Sequence, residues 1–238
     1  MVILIRRRHI HVLLLFLCLF LGMAVILWSG NQPYTEVVAD ITLPDQCQFI
    51  IDAGHGGEDG GAVAADGTPE SGLNLDIAHR LDRLMQFLGM STIMIRTEDV
   101  STSTPGLSTF HERKSSDLKN RVSAVNGIEN GVLISIHQNS LPTVPSVHGA
   151  QVFYNTVEGA ESLAERIQNV LNITVNPGNA KNTRQSPDSI YLMKHSHAPA
   201  VLIECGFLSN ATETANLKLP EYQRKLALSI LAGIMSPT

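Results

Sequence analysis

The sequence predicts an α/β fold in three layers: a largely parallel twisted sheet flanked by helices, in a single domain behind an N-terminal hydrophobic segment. Three observations lead there. Short apolar runs with strand character alternate with stretches whose apolar residues recur every three or four positions, the order expected of strands and helices around a parallel sheet. Val132-Leu133-Ile134-Ser135-Ile136 is too apolar for a half-exposed strand and reads as central and parallel. His55, His137 and Glu204 each follow an apolar run, and the sites of such sheets gather at the carboxyl ends of the strands.

Arg6-Arg7-Arg8 precede an apolar stretch that runs to Trp28. A helix of about 20 apolar residues can cross a hydrocarbon core of about 30 Å, and basic residues on its N-terminal side stay in the cytoplasm. Residues 1–29 are therefore expected to be a membrane anchor or a cleaved signal peptide. Either way the rest of the chain is exported. Residues 30–46, with Gly30, Pro33 and Pro44 and little periodicity, read as a linker. The domain is expected over 47–238, about 200 residues, enough for one core.

Within it, Gln48–Ile51 form a strand ending in the glycine-rich loop Asp52-Ala53-Gly54-His55-Gly56-Gly57. Leu73, Ile77, Leu81, Leu84 and Leu88 mark one face of a helix that Gly89 stops. Thr92–Ile95 make the next strand, and Leu118, Val122 and Val125 a second helix closed by Gly127. After the Val132–Ile136 strand come a strand at Gly149–Tyr154 and a helix through Leu163, Ile167 and Leu171. Ala200–Ile203 form a last buried strand, and Tyr222, Leu226, Ile230 and Ile234 a closing helix.

Composition removes several classes. Hydrophobic residues at 44% against 16% charged exclude a disordered chain. A net charge of −5 and an aromatic content of 5% argue against nucleic acid, which needs a basic face and stacking platforms. Cys18 lies in the apolar run, and Cys47 and Cys205 read as unpaired thiols, with no C-x-x-C present.

Two strands ending in histidine can bring both imidazoles to one rim, and Glu70 sits on the path from the His55 strand into the first helix. Zinc takes neutral imidazole and carboxylate, and a catalytic site uses three protein ligands with a fourth position for water. Glu204 ends a buried strand, where a carboxylate is costly unless paired, metal-bound or protonated. It reads as a general base or as the partner of an arginine such as Arg96. The loop glycines read first as turn positions, with Asp59 tying the loop down, and second as places where backbone approaches a substrate and offers N–H groups. Cys205 as a hydrolase nucleophile is disfavoured by the neighbouring Glu204, which raises a thiol pKa. His195 and His197 read as a surface pair on one strand face rather than a second metal site.

The run Ile50-Ile51-Asp52-Ala53-Gly54-His55-Gly56-Gly57-Glu58-Asp59-Gly60-Gly61-Ala62 resembles the opening motif of the amidase_3 family of N-acetylmuramoyl-L-alanine amidases. Glu70 before Leu73–Ala78, Arg96-Thr97-Glu98-Asp99, Leu118-Lys119-Asn120-Arg121, Ser135-Ile136-His137-Gln138-Asn139-Ser140 and Ile203–Asn210 are similar to its later motifs, in family order. The resemblance implies a zinc enzyme acting on peptidoglycan, cutting between the lactyl group of N-acetylmuramic acid and L-alanine. It implies Zn2+ on His55, Glu70 and His137, Glu204 as the catalytic carboxylate, and Asn139 and Arg96 in support. The short single-domain layout is similar to the family's spore-cortex members, which prepare muramic-δ-lactam for germination. Some of these depend on a lipoprotein activator. That implies a location at the outer face of the cytoplasmic membrane, the cell wall or the space between forespore and mother-cell membranes. The alternative is a non-catalytic wall-binding or activating domain that keeps the fold. Pro142–Val147 is too short for an autoinhibitory helix.

Overall fold

Because side chains alternate across a strand, strands that are apolar at every position must be covered on both faces. The central strands of the sheet follow that rule here. In the computed structural model, which describes residues 47–237, one sheet runs in the order β2-β1-β3-β6-β4-β5. These are β1 Gln48–Ala53, β2 Thr92–Met94, β3 Gly131–Asn139, β4 Gln151–Tyr154, β5 Arg184–Gln185 and β6 Ala200–Phe207. The expected anchor at 1–29, the linker at 30–46, and Cys18 lie outside the described residues. Among those residues no helix is long and apolar enough to cross a membrane.

β2, β1, β3 and β6 are parallel neighbours, while β4 runs antiparallel to β6 and β5 parallel to β4. The sheet is largely parallel, as predicted, with its reversed strands at one edge. Helices α1 (Glu70–Phe87), α3 (Ala160–Thr174) and α6 (Pro220–Met235) contribute to one apolar core with Ile51, Ala53, Ile134, Ile136, Val201 and Ile203. Helices α2 (Phe110–Asn126) and α4 (Tyr191–His195) cover the other face, over Ile50, Leu133, Ala200 and Leu202. Helix α5 (Ala211–Leu217) follows β6. The layers are helix, sheet, helix.

Local chemistry sets the helix ends. Thr109 and Glu112 form a reciprocal capping box at the start of α2. The Asn210 side chain accepts from Thr212 and Glu213 N–H groups at α5. Pro220 opens α6, where its missing N–H costs nothing.

Several expectations change. β2 ends at Met94, one residue early. His137 lies inside β3, which runs on to Asn139, and β6 continues through Glu204 to Phe207. Both side chains are therefore fixed by strand register, His137 directly beside Glu204. His195 ends α4 and stacks against Tyr191 with ring centroids 4.2 Å apart, so His195 and His197 do not share a strand face. β5, α4 and α5 were not foreseen; with two, five and seven residues they are too short to show a period.

Candidate active site

Strand parity builds the site. With Ile51 and Ala53 facing α1, Asp52 faces the α2 side; the same alternation sends Ser135 and His137 of β3 and Glu204 of β6 to that side. Beyond the end of β1 the chain turns at His55, whose φ of 60° lies in the left-handed region, a strained state typical of functional positions. Glu70 is the first residue of α1, delivered over the strand ends by the intervening loop.

These elements bring three side chains together. One donor atom each of His55, Glu70 and His137 lies within 4.8 Å of the other two. Glu70 Oε1 is 2.9 Å from His137 Nδ1, and Glu70 Oε2 is 3.4 Å from His55 Nε2. The rings meet edge to face at 5.1 Å between centroids. Room for this packing comes from two glycines. A Cβ on Gly54 would lie 2.2 Å from the His137 ring, and one on Gly61 2.6 Å from Glu70 Oε2.

Glu70 is held as a carboxylate. Burial works against its charge, but His137, His55 and the Gln138 N–H hold its pKa down to about 2. Ala62 N–H and Asn74 Nδ2 donate to its two oxygens as well. Two imidazoles and an ionised, oriented carboxylate at this spacing fit the donor set of zinc and leave a coordination position over.

Glu204 stands apart from that cluster. Burial pushes its pKa up to about 7; His137 lowers it and Glu70 raises it. Its Oε2 is buried and has no hydrogen-bond partner. The ion pair with Arg96 that the sequence left open is absent. Arg96 instead donates to the carbonyls of Ala53, Gly54, Ser71 and Glu98, tying the end of β1 to the start of α1. Asn139 pairs in register with Phe207, and its side chain accepts from Ser140 N–H.

Three of the loop glycines give their N–H groups to protein acceptors, as turn positions do, rather than to a substrate. Gly56 N–H is bound by the Asp59 carbonyl, Gly57 N–H by Asp99 and Gly61 N–H by Asp59 Oδ1. Asp59 does tie the loop down, and its Oδ2 sits 2.9 Å from His55 Nδ1. That contact turns the Nε2 of His55 toward Glu70, the way a carboxylate behind a metal-ligating histidine orients it.

A buried network beneath the histidines went unread in the sequence. Arg121 donates to Asp52, to Asp117 and to the carbonyls of Ala53 and His55. Ser135 Oγ donates to the other Asp52 oxygen at 2.7 Å. Burial pushes Asp52 up, and the charges of Arg121 and His137 with the Ser135 bond outweigh it, leaving Asp52 below the usual carboxylate range. The only sequence signal was the pairing of an aspartate before the loop with Arg121 in the Leu118–Arg121 motif. Cys205 and Cys47 are free. Cys205 is fully buried in the α1-side core, and burial with Glu204 nearby pushes its thiol up, so it is no nucleophile.

Comparison with known proteins agrees with this architecture. Residues 49–236 match the Amidase_3 family model, described as N-acetylmuramoyl-L-alanine amidase. The germination-specific N-acetylmuramoyl-L-alanine amidase of Bacillus subtilis is 36% identical over 190 residues, covering 79% of this chain and 78% of that protein. The amidase LytC of the same organism is 31% identical over 87% of this chain but only 39% of its own length. Among solved structures, the CwlD amidase from Clostridioides difficile in complex with the GerS lipoprotein superposes with a TM-score of 0.75 at 35% identity, covering 79% of this chain and 96% of that one. On the family match and these identities, the chain belongs to the Amidase_3 family of N-acetylmuramoyl-L-alanine amidases, enzymes of peptidoglycan hydrolysis.

Proposed function

We propose that this chain is a zinc-dependent hydrolase of the amide between the lactyl group of N-acetylmuramic acid and L-alanine, with His55, Glu70 and His137 holding the metal and Glu204 as the catalytic carboxylate. The observation that carries the reading is the gathering of those three donors within 4.8 Å, beside a Glu204 oxygen that nothing else occupies. Zinc bound there supplies Lewis acidity toward the amide carbonyl and lowers the pKa of a water. Glu204 Oε2 takes the proton of the attacking water and returns it to the leaving nitrogen. A carboxyl pushed up to about 7 suits a group that both accepts and gives a proton near neutrality. Asp59 keeps His55 Nδ1 engaged, so its Nε2 faces the site. Arg96 and Arg121 fix the backbone carrying His55.

The relatives support a finer setting. The likeness to a germination-specific amidase and to CwlD supports a role in spore-cortex maturation through muramic-δ-lactam formation. The lipoprotein bound to that neighbour supports a lipoprotein activator here. The sequence reading of an anchor or signal at 1–29, a linker at 30–46 and a catalytic domain from 47 supports work outside the cytoplasmic membrane.

The test is product analysis on purified peptidoglycan. Peptides beginning in a free alanine amine, alongside intact glycan, are expected. Release should stop on chelation, return with zinc and fail in Glu204→Ala. Cleavage at another bond, or release indifferent to chelation, contradicts the reading.

A further inference from the structure

The two oxygens of Glu70 are held unequally. Oε1 accepts from Asn74 Nδ2 at 3.1 Å and from the Gln138 N–H at 3.0 Å, with His137 Nδ1 2.9 Å away. Oε2 accepts one N–H, from Ala62 at 2.9 Å, and lies 3.4 Å from His55 Nε2. A carboxylate oxygen has about two lone-pair sites. Asn74 and Gln138 therefore fill Oε1, while Oε2 keeps a site over.

Asn74 stands one turn after Glu70 on the same side of α1 and is fully buried. Its Nδ2 also donates, at 3.1 Å, to the carbonyl of Gly54, the residue before His55. Both of these partners can only accept, so the NH2 end of the amide must face them. Asn74 Oδ1 is thereby turned to Gln138, the residue after His137, and accepts from its Nε2 at 3.1 Å. The same logic sends Gln138 Oε1 the other way, where it is buried without a hydrogen-bond partner. A buried orphan destabilises and calls for a reason. The reason here is what the nitrogen of that amide holds in place. One buried side chain thus touches Glu70 and the segments that carry His55 and His137.

We propose that Asn74, oriented by Gln138, is a positioning residue for the metal centre: it keeps Glu70 Oε1 saturated, so that Glu70 offers a metal the single oxygen Oε2. A carboxylate that turned both oxygens onto the metal would take up the position a catalytic site keeps for water. The proposal rests on the metal reading of His55, Glu70 and His137, and its test separates the two.

Full-length protein is stripped of metal and titrated with zinc against a competing chelator. A second sample is loaded with cobalt(II) for its visible spectrum. Asn74→Leu keeps a similar shape and removes the amide. It is expected to weaken zinc binding about 10–100-fold, the range for groups that orient metal ligands. It should also weaken the cobalt band, because cobalt of higher coordination number absorbs less strongly. Gln138→Met keeps Asn74 but not its orientation, and should move both readouts the same way by less. That variant carries the test if Asn74→Leu does not fold. Leu81→Ala, a fully buried change on the same helix, should leave both readouts at wild-type values. Wild-type affinity and spectrum in Asn74→Leu and Gln138→Met overturn the proposal. Weaker zinc binding with an unchanged cobalt band also overturns it, since Glu70 then still offers one oxygen. So does an equal loss in Leu81→Ala, which makes Asn74 one more tie between helix and sheet. A wild type that binds neither metal removes the metal reading itself.

Discussion

The two faces of the sheet are made from alternate residues of the same strands, yet they differ in kind. Toward α1, α3 and α6, β1, β3 and β6 present Ile51, Ala53, Ile134, Ile136, Val201, Ile203 and Cys205, all within one apolar core. Toward α2 and α4 the same strands begin apolar, with Ile50, Leu133, Ala200 and Leu202. They then turn polar at Asp52, Ser135, His137 and Glu204. One face supplies area removed from water, at roughly 25 cal/mol per Å². The other spends part of its area on buried charge that must be paired to be tolerated. Stability is concentrated on the first face, and the proposed chemistry sits at the polar end of the second.

The largest effect that tests this division is catalytic. Glu204→Ala should lower peptide release roughly a thousandfold, in steady-state assays on purified wall, with the fold unchanged by circular dichroism. Next comes the polar network. Arg121→Met leaves Asp52 buried without its cation and should cost about 3–5 kcal/mol in denaturant unfolding. It should also weaken zinc binding, because Arg121 holds the His55 carbonyl. Leu81→Ala, a fully buried change on the opposite face, should cost about 2–5 kcal/mol and leave zinc affinity alone. Equal loss of zinc in both variants would break the separation between the faces.

A smaller effect carries a sign that depends on pH. Burial raises Glu204 from its ordinary 4.5 to about 7 in the folded, metal-free chain, so ionising it opposes folding. The cost is absent below about pH 4.5, grows between the two values and is complete above about 7. Glu204→Gln should therefore stabilise the metal-free protein at pH 8, by up to about 3 kcal/mol, and not at pH 4. Thermal melts at the two pH values measure it; stabilisation of the same size at both would contradict the burial account. Smallest of all, Cys205→Ala should cost about 1 kcal/mol and leave peptide release intact, since its sulfur lies in the other core.

Much of this division was readable in the sequence. The long helices α1, α3 and α6 and the central strands announce themselves because their burial demands a period. His55, Glu70, His137 and Glu204 were legible as residues of the right chemistry at the ends of such elements. Strand parity was harder to read. The sequence pattern sets His137 and Glu204 just after their strands, whereas β3 and β6 carry them within the ladder and thereby fix their pairing. The Asp52–Arg121 link was hidden because its members lie 69 residues apart and obey no period, although Asp117 and Arg121 stand one helical turn apart. Asp59 lies only four residues from His55, but which histidine nitrogen it would hold depends on a backbone turn that composition does not reveal.

The most direct test of the central claim is metal analysis of the purified protein beside His137→Ala and Glu204→Gln. The account predicts about one zinc per chain in the wild type and in Glu204→Gln, and almost none in His137→Ala. Zinc retained without His137, or lost with Glu204, would contradict the assignment of holding and catalysis to separate residues.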